Sequence, residues 1–150
     1  MKGVTRIRRF AVALTGLAIA SGVFRSQVAQ ALVVRGDDFM YRGNRQSALK
    51  HYARAVVMDP DLSVAVDRYV FVSMEAHTAA AVRSGILTAN AFLSRHPTDA
   101  TVHADRALCY LTLRRYAAAM QDFEIAAHFS GSSQYRIAAR MLSHRRDATK

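Results

Sequence analysis

A helical segment of this chain occurs a second time further along the sequence. The stretch 99–130 contains two amphipathic helices, each with one apolar face built largely from small residues. Aligning this stretch with the earlier copy pairs small with small and aromatic with aromatic: Gly36 with Ala107, Phe39 with Tyr110, Ala48 with Ala119, Leu49 with Met120, Tyr52 with Phe123, and Ala55 with Ala126. Two such helices cannot bury their apolar faces alone, so the recurrence predicts stacked helical hairpins.

A third, weaker copy lies between these two. Helix-breaking residues end the three copies at Pro60, Pro97 and Gly131, so the step to the middle copy is slightly longer than the step to the last one. We expect three extra residues in the inter-helix turn of the middle copy. Gly85, Ala89 and Phe92 then take the small, small and bulky places of its second helix, and Val70 stands where the first copy has Gly36.

This pattern resembles the tetratricopeptide repeat, a helix-turn-helix unit of about 34 residues. Leu32, Gly36 and Phe39 stand where the family has the Leu, Gly and Tyr of helix A, and Ala48, Tyr52, Ala55 and Pro60 match the Ala, aromatic, Ala and Pro of helix B. The third copy departs from the family pattern at His103 and at Gly131. The resemblance implies an all-α solenoid of three hairpins, over about 29–62, 63–99 and 100–133, within a domain spanning 32–150.

A final helix is expected over 134–146. Tyr135, Ala138, Met141 and Leu142 fall on one side of it and arginines on the other, which is the pattern of a helix that caps a solenoid. Gly43-Asn44 predicts the turn of the first hairpin, and Thr98 or Asp99 is expected to cap the third helix A.

Residues 1–31 read as a signal peptide or a membrane anchor, an N-terminal apolar helix preceding the domain. A basic head is followed by an uncharged segment over 10–24 and by Ala29-Gln30-Ala31, which is similar to a signal-peptidase site. Cleavage there would begin the mature chain inside helix A of the first repeat, whereas an uncleaved helix would avoid this. The segment predicts export to the bacterial periplasm or anchoring in the inner membrane facing the periplasm, with membrane contact only through 10–24.

The net charge of +10 raises the question of nucleic-acid binding. Five basic residues and no acidic ones fall within 1–31, whereas charges of both signs are mixed along the rest of the chain. This distribution favours a solvated surface over a phosphate-binding stripe. The single Cys109 lies on an apolar helix face, so a buried structural thiol is expected.

Catalytic and metal-binding motifs are absent from the sequence. The six histidines are scattered, and no pair of them has metal-ligand spacing on one helix face. The sequence also lacks a nucleophile elbow and a glycine-rich phosphate loop. We therefore expect a non-enzymatic protein without a cofactor or a metal.

The resemblance also implies a concave groove lined by the A helices, in which an extended or helical peptide with apolar anchors would bind. Family positions carried onto this sequence give the following groove residues: Val33, Asp37, Met40, Tyr41, Val64, Asp67, Arg68, Phe71, Met74, Thr101, Ala104, Asp105, Leu108, Leu111 and Thr112. Members that grip a C-terminal carboxylate use Lys, Asn and Arg at such positions. Val33, Asp37 and Asp105 stand there instead, which argues against a clamp for chaperone tails.

The sequence thus predicts a protein–protein interaction adaptor of the bacterial cell envelope that holds a partner protein or peptide. Three alternatives stay open. The chain could be a cytoplasmic chaperone similar to those of type III secretion, an enzyme or nucleic-acid binder, or a protein that uses its exposed Met and Phe to self-associate.

Overall fold

The computed structural model describes the backbone of residues 3–147 and the side chains of residues 21–144. All regular secondary structure in that part of the chain is helical. The helices are α1 (Gly3–Tyr41), α2 (Arg45–Met58), α3 (Ser63–Glu75), α4 (Ala79–Leu93), α5 (Ala100–Thr112), α6 (Tyr116–Ser130) and α7 (Ser133–Asp147). The predicted all-α solenoid of three hairpins with a final capping helix is confirmed.

The packing of the helices defines the two sides of the solenoid. Helices α1, α3 and α5 are the A helices of the three hairpins, and α2, α4 and α6 are the B helices. Helix α3 packs against both α1 and α5, and each B helix except the last packs against the A helix that follows it. No two B helices pack extensively against each other within the described chain. The A helices therefore lie closer together and form the inside of the curve.

Each hairpin is closed by a turn of three residues, and the middle residue of every turn has a left-handed backbone. The φ angles are 72° at Gly43, 53° at His77 and 57° at Arg114. Glycine adopts this conformation without a steric cost, whereas His77 and Arg114 must tolerate it. The expectation of three extra residues in the second turn is wrong, because all three turns have the same length and shape.

The extra residues of the middle copy lie instead near its C-terminal end. Helix α4 is one residue longer than α2, and six residues connect it to α5 where four connect α2 to α3. The second copy of helix B is therefore in register with the first without any insertion before it. Val82, Ile86 and Ala89 are buried at the places of Ala48, Tyr52 and Ala55, so the places assigned to Gly85, Ala89 and Phe92 were each three residues too late.

In each of the first two hairpins the helices pack closely at a glycine. This glycine lies on helix A in the first hairpin and on helix B in the second. In the first hairpin a Cβ at Gly36 would overlap the ring of the fully buried Tyr52. In the second hairpin helix A carries Val70 at the place of Gly36, and the close approach is at Gly85 on helix B, where a Cβ would lie 3.1 Å from Cβ of Ser73. The place of Gly36 is thus taken by the larger Val70 and the place of Tyr52 by the smaller Ile86, which explains why the middle copy departs from the repeat pattern.

Helix caps confirm several of the predicted boundaries. The side chain of Asn44 accepts a hydrogen bond from the backbone N–H of Ser47, and Asp99 does the same for Val102. Gly131 ends α6 in the left-handed conformation, with φ of 69°. The predicted turn at Gly43-Asn44 and the predicted cap at Asp99 are therefore both confirmed.

Helix α7 covers the end of the solenoid. Ala139 is buried in the core of the third hairpin, and the ring of Tyr135 stacks on Phe123 with 6.2 Å between centroids. Arg136 and Arg140 are exposed, as expected of a cap. Met141 was placed on the packed side by the sequence pattern, but its side chain is 68% exposed, because Ala139 occupies the centre of the contact.

Helix α1 continues without a break through the predicted cleavage site. Ala29 is fully buried and packs in the same cluster as Val33 and Tyr52. The apolar segment 10–24 lies, except for its last four residues, outside the part of the chain whose side chains are described. Within the described part of the chain, no helix combines the length and apolar character needed to cross a bilayer.

Candidate peptide-binding groove

The structure divides the predicted groove residues by their exposure. Exposed are Asp37, Tyr41, Val64, Arg68, Phe71, Thr101 and Thr112, and half-buried are Met40, Asp67, Met74, Asp105, Leu108 and Leu111. Val33 and Ala104 are only 5% exposed, because they face the neighbouring helices and pack in the hydrophobic cores of the first and third hairpins. These two residues form part of the core and offer a partner no surface.

Apolar side chains reach the solvent along the A helices. Phe71 is 39% exposed although the residues on either side of it, Val70 and Val72, are buried. Tyr41 is 93% exposed at the end of α1. Beside the turns of the hairpins, a cavity of about 300 Å³ is lined by Met74 and Thr112 together with Arg45, Glu75 and His77. The inner side of the solenoid thus offers separate apolar contact points.

A row of charged side chains connects the first two A helices. The guanidinium of Arg68 on α3 donates to Oδ1 of Asp37 on α1 at 3.2 Å and to Oδ2 of Asp67 at 3.0 Å. The buried hydroxyl of Tyr52 also donates to Asp37, at 2.7 Å. Burial and this hydrogen bond to Asp37 raise the pKa of Tyr52 above its usual range, so the hydroxyl remains a donor.

The row continues onto α5 with Asp105, which faces a second carboxyl group rather than a cation. Burial, the hydrogen bond to Asp67 and the negative charge of that residue raise the pKa of Asp105 to about 9. The two carboxyl groups therefore share a proton at neutral pH. No hydrogen-bond partner reaches the buried Oδ2 of Asp105. Apart from the proton shared with Asp67, no donor within the described chain reaches Asp105.

A second polar cluster joins the last two hairpins on the side away from the groove. Asp122 on α6 accepts hydrogen bonds from Nε and Nη2 of Arg106 at 2.8 and 2.6 Å, and it lies 3.0 Å from Nδ1 of His103. Nε2 of His103 lies 3.0 Å from the carbonyl oxygen of Pro97, and Nη1 of Arg106 donates to Asn90 at 2.6 Å. This cluster is closed within the protein and serves packing between repeats.

Sequence reasoning missed this cluster, although one signal was present. Asp122 falls on the same helix face as Ala119, Phe123 and Ala126, where an ionisable residue must find partners. His103 and Asp105, two residues apart on α5, point in different directions: one faces Asp122 and the other faces Asp67.

The described residues hold few groups with chemical reactivity. No cluster of three or more metal-ligating side chains occurs among them. Cys109 is fully buried as expected, and burial raises the pKa of its thiol to about 12, so it is not a nucleophile at neutral pH. The A-helix side can therefore contribute contacts, charge and shape.

Comparison with known proteins shows similarity of fold. No family model matches the sequence, and no curated protein matches it. Among solved structures, the first TPR domain of human RPAP3 superposes with a TM-score of 0.73 at 14% identity, covering 82% of this chain and 95% of that one. The TPR domain of Arabidopsis OM64 gives 0.71 at 12% identity, with coverages of 81% and 98%.

A further structure shows such a domain with a ligand. The first TPR of Spaghetti (RPAP3), bound to the HSP90 peptide SRMEEVD, gives a TM-score of 0.71 at 16% identity, over 80% of this chain and 94% of that chain. Helix order, hairpin packing and these superpositions agree. The chain therefore has the fold of a tetratricopeptide repeat domain.

Proposed function

We propose that this chain is a non-enzymatic adaptor that holds a partner protein or peptide against its A helices. The observation that carries the proposal is the exposure of Phe71 in the middle of the inner surface. Its neighbours along the helix are buried, yet the ring itself is left without full burial. An aromatic side chain offered to solvent on the inner face of a solenoid suits contact with an apolar anchor of a partner.

The location we propose is the bacterial inner membrane, with the repeat domain facing the periplasm. The basic head and the apolar segment 10–24 support this orientation. The unbroken path of α1 and the burial of Ala29 against the first hairpin support retention of the segment as an anchor. Cleavage after Ala31 would remove Ala29 from that core.

The peptide of the HSP90-bound neighbour does not supply a ligand for this chain. That peptide, SRMEEVD, ends in three acidic groups together with its terminal carboxylate. The inner surface here carries Asp37, Asp67 and Asp105. Like charges at close range would repel, so we propose a different class of partner for this groove.

The test is affinity capture from membranes with the full-length protein, comparing the wild type with Phe71→Asp and Phe129→Asp. Phe129 is a matched control, because it is 46% exposed but lies on the B helix α6. A partner bound in the groove should be lost with Phe71→Asp, by at least about tenfold, and kept with Phe129→Asp. Circular dichroism should show both variants folded.

Two results would count against the proposal. Equal capture by the wild type and Phe71→Asp would show that the A-helix side is not the contact. The N-terminal sequence of the same preparation tests the anchor: a chain beginning at Leu32 would show that the segment is removed, whereas an intact N-terminus in the membrane fraction is expected.

A further inference from the structure

One row of side chains on the inner surface is acidic, although the protein as a whole is basic. The chain carries a net charge of +10, yet the row across α1, α3 and α5 contains three carboxyl groups and one guanidinium. Arg68 is the only cation that contacts this row within the described chain, and both Asp37 and Asp67 already use it. The row therefore has an excess of acceptors.

The excess is concentrated beside the apolar contacts of the groove. Asp67 and Asp105 face each other across α3 and α5, and Phe71 lies one helical turn from Asp67 on the same helix. The side chain of Asp67 is 20% exposed and that of Arg68 is 45% exposed, so a ligand can reach the row from solvent. Apolar contact and unused acceptors thus share one surface.

The Asp67–Asp105 pair also lacks a donor that a ligand could provide. Beyond the proton shared with Asp67, no donor from the residues that the structure describes reaches Asp105. The proton shared with Asp67 compensates only part of the cost of placing two carboxyl groups together. A guanidinium or ammonium group at the exposed edge of Asp67 would provide several N–H donors and a positive charge, and it would displace the shared proton.

We infer that the groove binds a positively charged segment of its partner, in which arginine or lysine side chains alternate with apolar residues. This inference rests on the proposed function and specifies the chemistry of the ligand. Basic side chains pair with Asp67 and Asp105, and apolar ones contact Phe71. Arginine suits the site better than lysine, since its planar group can donate to both carboxylates at once.

The test uses full-length protein and three libraries of blocked heptapeptides, each made of leucine, glycine and one polar residue in all orders. The polar residue is arginine, citrulline or glutamate. Citrulline keeps the shape of arginine and removes its charge. Fluorescence anisotropy at physiological ionic strength should show the best arginine peptides binding at least about tenfold more tightly than their citrulline counterparts, with the glutamate library weakest.

Charge variants of the protein should remove this preference selectively. Asp67→Asn and Asp105→Asn should each reduce the preference for arginine over citrulline by about three- to tenfold. Asp38→Asn is the matched control, because Asp38 adjoins Asp37 on α1 but pairs with the exposed Arg42 at 3.0 Å. That variant should keep the preference of the wild type.

The outcomes separate this inference from the proposed function. Citrulline or glutamate peptides that bind as well as arginine peptides, and are lost with Phe71→Asp, would overturn the inference and leave the groove as a binding site. Absence of any peptide binding sensitive to Phe71→Asp would overturn both. Self-association that Phe71→Asp abolishes, without peptide binding, would assign the groove to a second copy and overturn the inference as well.

Discussion

Asp122 and Asp105 both lie on helices of the third hairpin, and their surroundings are opposite. Asp122 is 3% exposed and is contacted by the guanidinium of Arg106 and the ring of His103. Asp105 is half-buried and faces the carboxyl group of Asp67, with no partner for Oδ2. One carboxylate has its partners inside the protein, and the other faces another acid on an open surface.

The difference separates a structural role from the binding role proposed for Asp105. A buried charge with complete partners fixes the position of the elements that supply them, here α4, α5, α6 and the connection at Pro97. A carboxyl group held beside another carboxyl group costs stability, and carboxyl groups with raised pKa values are frequent at functional sites. The following predictions test this distinction.

The largest effect is expected from Asp122→Ala. The substitution leaves the guanidinium of Arg106 and the ring of His103, whose side chains are 18% and 7% exposed, without their acceptor. Removal of one partner from a buried charge pair typically costs about 3–5 kcal/mol of unfolding free energy. Urea denaturation followed by circular dichroism should measure a loss in that range.

Asp61→Ala is the matched control for this loss. Asp61 likewise accepts a hydrogen bond from an arginine, Arg95, at 2.7 Å, and lies 2.9 Å from a histidine, His96. All three side chains, however, are exposed. Its denaturation midpoint should stay close to that of the wild type, since solvated ion pairs contribute little. Equal losses from the two substitutions would show that burial of the Asp122 cluster does not determine its contribution.

Asp105→Asn should have the opposite effect and raise the free energy of unfolding. The pKa of Asp105 is raised in the folded state, to about 9, so the folded protein binds this proton more tightly than the unfolded chain does. The wild type should therefore lose stability as pH rises from about 4 to about 9. An asparagine keeps a donor to Asp67 and does not titrate, so the variant should gain about 1–3 kcal/mol at pH 8 and less at pH 5.

Urea denaturation of both proteins across this pH range measures the effect. Because Asp105 is only half-buried, the slope should be below the limit of about 1.4 kcal/mol per pH unit for one proton. Parallel pH profiles for the wild type and Asp105→Asn would show that Asp105 ionises normally and would remove the contrast with Asp122.

The hairpins could be predicted from sequence because their contacts are local and repeated. Gly36 and Tyr52 form a small–large pair, and the last copy repeats the pair as Ala107 and Phe123. The register of the middle hairpin was missed because Val70 and Ile86 stand in place of this small–large pair. Without a glycine at His77, no local signal indicated that the second turn has the same left-handed geometry as the first.

The polar sites could be predicted only in part. Asp37, Asp67 and Asp105 were placed on the inner surface by repeat position, and all three keep exposed or half-buried side chains there. Their pairing depends on how closely neighbouring A helices pack, which repeat position does not specify. Val33 and Ala104 were assigned to the same surface, but a rotation of one residue around a helix is enough to turn a side chain into the core.

The smallest effect is expected from Asn90→Ala, which removes the outermost contact of the Asp122 cluster. Oδ1 of Asn90 accepts from Nη1 of Arg106 at 2.6 Å on an exposed part of α4. Arg106 keeps both hydrogen bonds to Asp122, so the loss should be about 0.5–1.5 kcal/mol by urea denaturation. Asn90→Asp, which keeps an acceptor and adds a charge, should retain the stability of the wild type.

Combining Asn90→Ala with Asp122→Ala in one protein tests whether the two residues hold Arg106 together. If Arg106 is held mainly by Asp122, the loss from Asn90→Ala should differ by about 0.5 kcal/mol or more between the two backgrounds, because both residues contact the same guanidinium. Strict additivity would mean that Asn90 acts independently of the cluster. A loss from Asn90→Ala as large as that from Asp122→Ala would instead place the anchor of Arg106 on α4, and the buried carboxylate would no longer explain how the last two hairpins are held together.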